Sequence, residues 1–451
     1  MDDPRHVLLG MPGLKPTIPA ELSKAPGGFE LRPERWIEEP KQVKKRVIDG
    51  NVIFDLFERR GVVADFEPRP LWGLEGDRPF TVLDAKMSMI SNFTGLPAQV
   101  YKAGLVLWDV HIDGPDSLAE AARLTFSFRR GGWEENNEPI ALPEGRLSAW
   151  SHDSRAGLIW EPSTSHTVHN LTQRLPTVLT ALFHLWTGSP TSICAIQVRM
   201  PDKGWCTLEL LQEAPSIVSR SLLPLYELDL KVVGAWLSKA RKLGPIPFVA
   251  AADRGVLQVD AQMLATALEG LHRRLDPGAK RFDPPVSVNK LQTVRRKATS
   301  AAVVALEGVV DAPTAKKAYN EALIHVGELS YADRLTEMLP RVGNVAPGLL
   351  GPSLEEWIRD TKDLRNVQSH GLTQDDDFGE EEFARYYVLA ASARWALKIL
   401  LLLDLTDDDA LIRSSLEESD KFMYSLANID REHYWEDFSA YETFLDRKPL
   451  S

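Results

Sequence analysis

The chain has 451 residues and a formal net charge of −12, with 44% apolar and 26% charged residues. This length predicts two domains, the composition excludes a disordered chain, and the negative charge argues against a general nucleic-acid coat protein. An RNA enzyme is not excluded, because affinity for RNA follows the local distribution of charge. Cys194 and Cys206 form neither a CxxC pair nor a zinc pattern, which argues against a disulfide framework.

The N-terminus lacks a basic stretch followed by an apolar one, so we expect no secretory signal and a cytoplasmic protein. The most hydrophobic stretch, 388–405, carries Arg394 and Lys398 near its middle. Because a charge at the centre of a bilayer is costly, this stretch predicts a buried bundle helix and no membrane partner.

The first half of the chain has the periodicity of β-strands. Residues 1–30 are rich in proline and glycine and predict an irregular lead-in. Apolar and polar residues then alternate over 83–89, 124–128 and 206–210, which predicts short strands with one core face and one solvated face. We therefore expect residues 1–235 to form an antiparallel domain of sandwich or barrel-like architecture.

The second half has helical periodicity. Apolar residues recur at helical spacing over 260–275, 289–311, 315–326 and 332–339. Glu269 and His272 stand one turn apart on the first of these helices. The favoured interpretation for them is a solvated helix face, and the alternative is a supporting role at a site.

Two further helices complete the predicted bundle. Ser353 and Glu356 form a capping-box pattern at the start of one helix. The other covers about 381–403, with Phe383 among the residues expected to face inward. Residues 236–405 thus predict an all-α bundle, and 406–451 an acidic tail whose aromatic residues dock elsewhere.

The candidate chemistry lies after the capping box, in the segment with Arg365, Asn366 and His370. Histidine titrates nearest neutrality and suits proton transfer, while arginine stays charged and can grip two phosphate oxygens. In a helix Asn366 and His370 share a face, and Arg365 lies about 140° round from His370. The pair therefore suits a cleft between helices. Asn366 is the third candidate: it orients His370, binds phosphate, or is a polar residue at the helix end without a role in the site.

The Arg-x4-His spacing, with asparagine after the arginine, resembles the signature of HEPN ribonuclease domains. Residues 267–273 and 329–335 resemble segments of the Apea-like HEPN family, in which a mostly β N-terminal domain precedes the HEPN bundle. The resemblance implies an α+β fold, with a β-rich domain followed by a HEPN-like helical bundle. It also implies a homodimer or higher homo-oligomer in which two motifs meet.

The function that follows is a metal-independent RNA endonuclease. One histidine would act as base on the 2′-OH and the partner histidine as acid, leaving a 2′,3′-cyclic phosphate and a 5′-hydroxyl. The resemblance implies a role in antiviral defence by abortive infection, in response to an unknown phage or cellular trigger. We expect neither a cofactor nor a metal, since His166 and His169 lack the carboxylate or cysteine companions of a metal site.

A basic patch over 272–297 predicts where the RNA backbone binds. It has eight basic residues against Asp276 and Asp283, a local net charge of about +6. A solvated loop and helix face explains it equally well. The proposed RNA-binding members are Arg273, Arg274, Lys280, Arg281, Arg295, Arg296 and Lys297.

Two alternatives stay open. In the first alternative, the helical domain is a non-catalytic RNA-binding, nucleotide-binding or dimerisation module beside a ligand-sensing β domain. RNA binding would then persist without cleavage. Alternatively the β domain is the functional part, binding a ligand or carbohydrate, and the helices are an oligomerisation scaffold.

Overall fold

A computed structural model describes most of the chain. The described residues are 3–37, 44–48, 51–55, 67–90, 98–129, 133, 137–210, 221–252, 255–282, 284–369 and 379–446. They form two compact units, 1–237 and 238–451. The first is rich in strands and the second is helical, so the predicted α+β class is confirmed.

Six antiparallel strands of the first unit close into a barrel, in the order β7-β6-β1-β2-β3-β8 with β8 pairing back onto β7. Their inward side chains form one apolar core that includes Leu9, Leu22, Phe29 and Phe80. The strands are β1 (Arg5–Gly10), β2 (Ile18–Ala25), β3 (Gly28–Pro33), β6 (Arg69–Glu75), β7 (Arg78–Ile90) and β8 (Ala98–Ala103); a separate hairpin joins β4 (Lys44–Ile48) and β5 (Asn51–Asp55).

The barrel continues through β7 into an open antiparallel sheet of order β9-β17-β16-β11-β14-β13-β12. Helix α1 (Leu175–Thr187) covers one face, where the ring of Phe183 meets Phe126 and Phe128 at 4.3 and 5.0 Å between centroids. The strands are β9 (Val106–Trp108), β11 (Ala121–Arg129), β12 (Ile140–Leu142), β13 (Gly145–His152), β14 (Arg155–Pro162), β16 (Ile193–Met200) and β17 (Gly204–Glu209); β10 (Leu118–Ala119) pairs with β15 (His166–Thr167).

The helical unit is arranged around the two long helices α4 and α10, which pack against each other. Helix α4 packs against α7, α9 and α10, and α5 packs against α6. Helix α2 (Leu230–Leu243) crosses the boundary between the units, and the others are α3 (Ile246–Ala251), α4 (Leu257–Leu275), α5 (Val288–Ala305), α6 (Ala312–Ala322), α7 (Tyr331–Met338), α8 (Pro340–Val345), α9 (Leu354–Ser369), α10 (Glu380–Thr406), α11 (Asp409–Glu417), α12 (Asp420–Arg431) and α13 (Ala440–Asp446).

The tail after residue 406 is helical and docks within its own unit. The buried ring of Phe422 lies 5.0 Å from Trp395 on α10 and 5.0 Å from Phe444, centroid to centroid. Nη2 of Arg413 donates a 2.7 Å hydrogen bond to the carbonyl of Phe444. These contacts fix α11 to α13 against α10.

Two expectations were wrong. Residues 1–30 are not an irregular lead-in, because β1, β2 and the start of β3 lie there and bury Val7, Leu9 and Leu22 in the barrel. Proline and glycine in that segment occupy the turns between strands and strand ends, which short strands tolerate. Phe383 is 44% exposed, because it lies in the first turn of α10, ahead of the part of that helix that is buried.

Stretch 388–405 forms the body of α10, as predicted, with Arg394 bonded to the carboxylate of Asp260 and the carbonyl of Ala252. Among the described helices, none has the length and hydropathy needed to cross a membrane.

Candidate functional site

Helix α9 (Leu354–Ser369) carries Arg365 and Asn366 of the Arg-x4-His motif. The Ser353 hydroxyl accepts a 3.3 Å hydrogen bond from the backbone N–H of Glu356, which caps the start of the helix. Trp357 and Leu364 are buried on the side of α9 that faces the bundle. Arg365 follows Leu364, so its side chain leaves the helix at the edge of this packed side.

Arg365 is held by a buried carboxylate from another helix. Its Nη2 lies 2.8 Å from Oε2 of Glu269 on α4, whose side chain is only 9% exposed. The guanidinium carbon lies 5.3 Å from the ring centroid of Tyr331, at the start of α7. Burial raises the pKa of Tyr331 to about 12, so its hydroxyl is neutral near pH 7. Three helices therefore fix the position of one cation.

Glu269 also binds a second arginine. Nε and Nη2 of Arg273 each donate a 3.0 Å hydrogen bond to Oε1 of Glu269, while Arg365 uses the other oxygen. Arg273 also reaches Glu328 at 3.3 Å. Partial burial acts to lower the pKa of Arg273, but these two carboxylates raise it overall. Glu269 is thus a bridge between two guanidinium groups.

A second buried polar group lies one turn further along α4. His272 accepts a 3.1 Å hydrogen bond at Nδ1 from Nη1 of Arg334, so its Nε2 carries the proton that is shared with Glu337 at 3.0 Å. Both ring nitrogens are engaged, so His272 is not placed to act as a base. Burial, followed by the nearby charge of Arg273, lowers the pKa of Arg334.

The interpretation of Glu269 and His272 as a solvated helix face was wrong. They are only 7% and 4% exposed. Their burial is tolerated because Arg365, Arg273 and Arg334 supply partners, as buried charges require. The spacing 265, 269, 272 follows the apolar stripe of α4 and was the available sequence signal.

Of the other two motif residues, the structure describes Asn366 but not His370. Asn366 is exposed on α9, next to Arg365. His370 lies outside the described residues, so its predicted place beside Arg365 stays a prediction.

In the fold, the residues of the predicted basic patch lie in three environments: ion pairs with carboxylates, hydrogen bonds to backbone carbonyls, and solvent. Arg273 belongs to the Glu269 bridge, Arg281 pairs with Asp333 at 3.1 Å, and Arg274 donates to the carbonyl of Lys242 at 2.7 Å. Arg295 on α5 donates a long 3.4 Å bond to the carbonyl of Asn320. The exposed remainder is Lys280, Arg296 and Lys297.

The fold and this site define a β-rich unit followed by a helical unit in which an arginine is held by a buried glutamate. Residues 263–409 match the profile of a family described as Apea-like HEPN, the family that the motif and its flanking segments resemble. The match to this family indicates a nuclease-like or RNA-related module. Neither the curated proteins nor the solved structures gave a match.

Proposed function

We propose that the protein is a metal-independent RNA endonuclease whose active site contains Arg365 and His370. The observation that carries the proposal is the 2.8 Å contact between Arg365 and buried Glu269, inside the segment that matches the family. A buried carboxylate that orients an arginine is the kind of support that a phosphate-binding cation needs, since transition-state stabilisation depends on prior positioning.

The proposed reaction uses the 2′-OH of RNA as nucleophile. A base removes the 2′-OH proton, the oxygen attacks phosphorus, and the bond from phosphorus to the 5′-oxygen breaks as an acid protonates that oxygen. His370 is the proposed base and the His370 of a second copy the proposed acid. Arg365 stabilises the negative charge on the phosphorane oxygens. The products are a 2′,3′-cyclic phosphate and a 5′-hydroxyl.

Two further parts of the proposal concern partners. The exposed cations Lys280, Arg296 and Lys297 are suited to the RNA backbone, and exposed Asn366 is placed near Arg365 to contact phosphate. We propose that two copies of the chain bring two motifs together and that the enzyme acts in the cytoplasm in defence against phage. The trigger would act through the β-rich unit.

The direct test is a cleavage assay on total RNA with a chelator present. We expect cleavage by the wild type, and loss of cleavage in Arg365→Ala and His370→Ala. Arg359→Ala is the matched control, because Arg359 lies on the same helix, is 60% exposed and pairs loosely with Glu356 at 3.8 Å and Asp360 at 3.5 Å. Cleavage that survives both motif substitutions would refute the site.

One observation favours the non-catalytic alternative. Arg365 already has a carboxylate partner, and an arginine that serves only to hold α9 to α4 would look the same. In that case RNA binding would persist, no RNA would be cut by the wild type, and Arg365→Ala would change stability alone.

A further inference from the structure

An arginine on the open sheet of the first unit has no carboxylate partner among the described residues. Arg123 lies on β11, with Ile159 and Gln197 as its neighbours on the two adjacent strands. Nη1 of Arg123 donates a 3.3 Å hydrogen bond to Oε1 of Gln197, and its Nε is buried with no hydrogen-bond partner among the described residues. A buried cationic donor without an acceptor costs free energy, so this arrangement calls for an explanation.

Two tryptophans cover the guanidinium. The carbon Cζ of Arg123 lies 4.7 Å from the ring centroid of Trp150 and 4.1 Å from that of Trp205. These rings come from β13 and β17, which lie on opposite sides of β11 in the sheet. Trp150 reaches across β14 because Gly157 beneath it has no side chain; a Cβ there would lie 2.7 Å from the indole. Both indoles therefore lie within cation–π distance of the guanidinium.

The charge of Arg123 is not balanced by its neighbours. Burial lowers the pKa of Arg123, and the positive charge of Arg199 lowers it further. Glu120 and Glu161 lie close to this face, but each contacts Arg199, at 3.2 Å. Because arginine stays protonated near pH 7, Arg123 holds beside the two indoles a positive charge that no carboxylate in the described part of the chain contacts.

A second orphan group lies on the same strand face. Thr125 is two residues along β11 from Arg123, so both side chains point to the same side of the sheet. Thr125 is 2% exposed, and its Oγ1 has no hydrogen-bond partner in the part of the chain that the structure describes. One strand face thus presents a guanidinium nitrogen, Nε of Arg123, and a hydroxyl, Oγ1 of Thr125, that both lack a hydrogen-bond partner among the described residues.

We propose that Arg123 binds a phosphate group, which approaches the edge of its guanidinium between Trp150 and Trp205. A planar guanidinium donates to two oxygens at once, and indole faces on both sides exclude water from the contact. The Thr125 hydroxyl is the neighbouring polar group. Inorganic phosphate and the phosphate of a mononucleotide share this chemistry. The site lies in the first unit and does not depend on the proposed nuclease.

The test is a fluorescence titration of the full chain, since two indoles contact Arg123. Inorganic phosphate and adenosine monophosphate are titrated separately at constant ionic strength set by chloride. We expect a saturable change with a Kd on the order of 1 mM, weakened at least about tenfold in Arg123→Met. Arg146→Met is the matched control, because Arg146 is exposed on β13 of the same sheet, and it should bind like the wild type.

A second variant covers the case in which Arg123→Met fails to fold. Arg123→Lys keeps the charge but not the planar pair of donors, so we expect at least about threefold weaker binding. Tighter binding of adenosine monophosphate than of phosphate identifies a nucleotide ligand, and equal binding identifies phosphate alone. The proposal is overturned if the wild type shows no saturable response to either, or if the Arg123 variants respond as the wild type does.

Discussion

Replacing Glu269 by glutamine tests whether this residue orients Arg365 for catalysis. The change keeps the shape of the side chain and removes the charge that bridges Arg273 and Arg365. A hydrogen bond to a charged group contributes about 1.5–3 kcal/mol, and the lower end applies because Arg365 is 31% exposed. If about 1.5 kcal/mol of this is expressed in the transition state, kcat falls about tenfold.

The same Glu269→Gln variant should bind RNA more tightly, although its kcat is lower. Removing a negative charge beside two arginines favours the RNA backbone, and about 1 kcal/mol of Coulomb energy corresponds to a several-fold lower Kd. Glu328→Gln is the matched control: Glu328 contacts Arg273 at 3.3 Å, whereas the bridge to Arg365 is made by Glu269. We expect Glu328→Gln to tighten binding and leave kcat unchanged.

The assay is single-turnover cleavage of a short RNA, with binding measured by fluorescence anisotropy on the His370→Ala background. Thermal melting checks that each variant is folded. A wild-type kcat in Glu269→Gln, or an equal loss of kcat in Glu328→Gln, would refute the positioning role.

Two other predictions concern the stability of the helical unit. Burial, with the charges of Arg394 and Lys421, lowers the pKa of Lys398 from 10.5 to about 8. The unfolded chain then binds this proton more tightly between about pH 8 and 10.5, so the contribution of Lys398 to the free energy of unfolding should rise with pH across that window, by about 3 kcal/mol. We expect the wild type to gain about this much stability relative to Lys398→Met over the same window. Trp357 is 1% exposed and donates a 2.9 Å hydrogen bond to Ser392, so Trp357→Phe should cost about 2 kcal/mol in urea unfolding.

A control variant separates the effect of the buried Lys398 from the effect of removing any lysine. Lys316→Met, at an exposed lysine on α6, should leave the pH dependence as in the wild type. The packing inferred for α9 and α10 would be contradicted by either of two results. One is a free energy of unfolding that depends on pH in Lys398→Met as it does in the wild type, and the other is a cost below about 0.5 kcal/mol for Trp357→Phe.

Helical periodicity predicted the second unit well because it is a local property. Helix α7 was expected over 332–339 and is observed at Tyr331–Met338, with Ser330 and Asp333 forming a capping box. Helix α10 was expected over 381–403 and is observed at Glu380–Thr406. Apolar spacing and capping residues act within a few turns, so one sequence suffices to see them.

The supporting residues of the site could not be predicted in this way. The place of Glu269 on the apolar stripe of α4 indicates its burial, but its partner Arg365 lies far along the chain, and no local pattern indicates that pairing. The basic patch was grouped by adjacency in sequence, but ion pairs with Glu269 and Asp333 divide it in the fold. The first strands were missed because their turns contain the proline and glycine that indicate an irregular segment.

The most direct test of the central claim is the chemistry of the cut ends. A short RNA that the wild type cleaves is compared with the same RNA carrying one 2′-deoxy nucleotide at the cut site. We predict a 2′,3′-cyclic phosphate and a 5′-hydroxyl from the first, no cut in the second, and no activity in Arg365→Ala. Cleavage at the deoxy position, or a 5′-phosphate product, would contradict an Arg365–His370 site that uses the RNA's own 2′-OH.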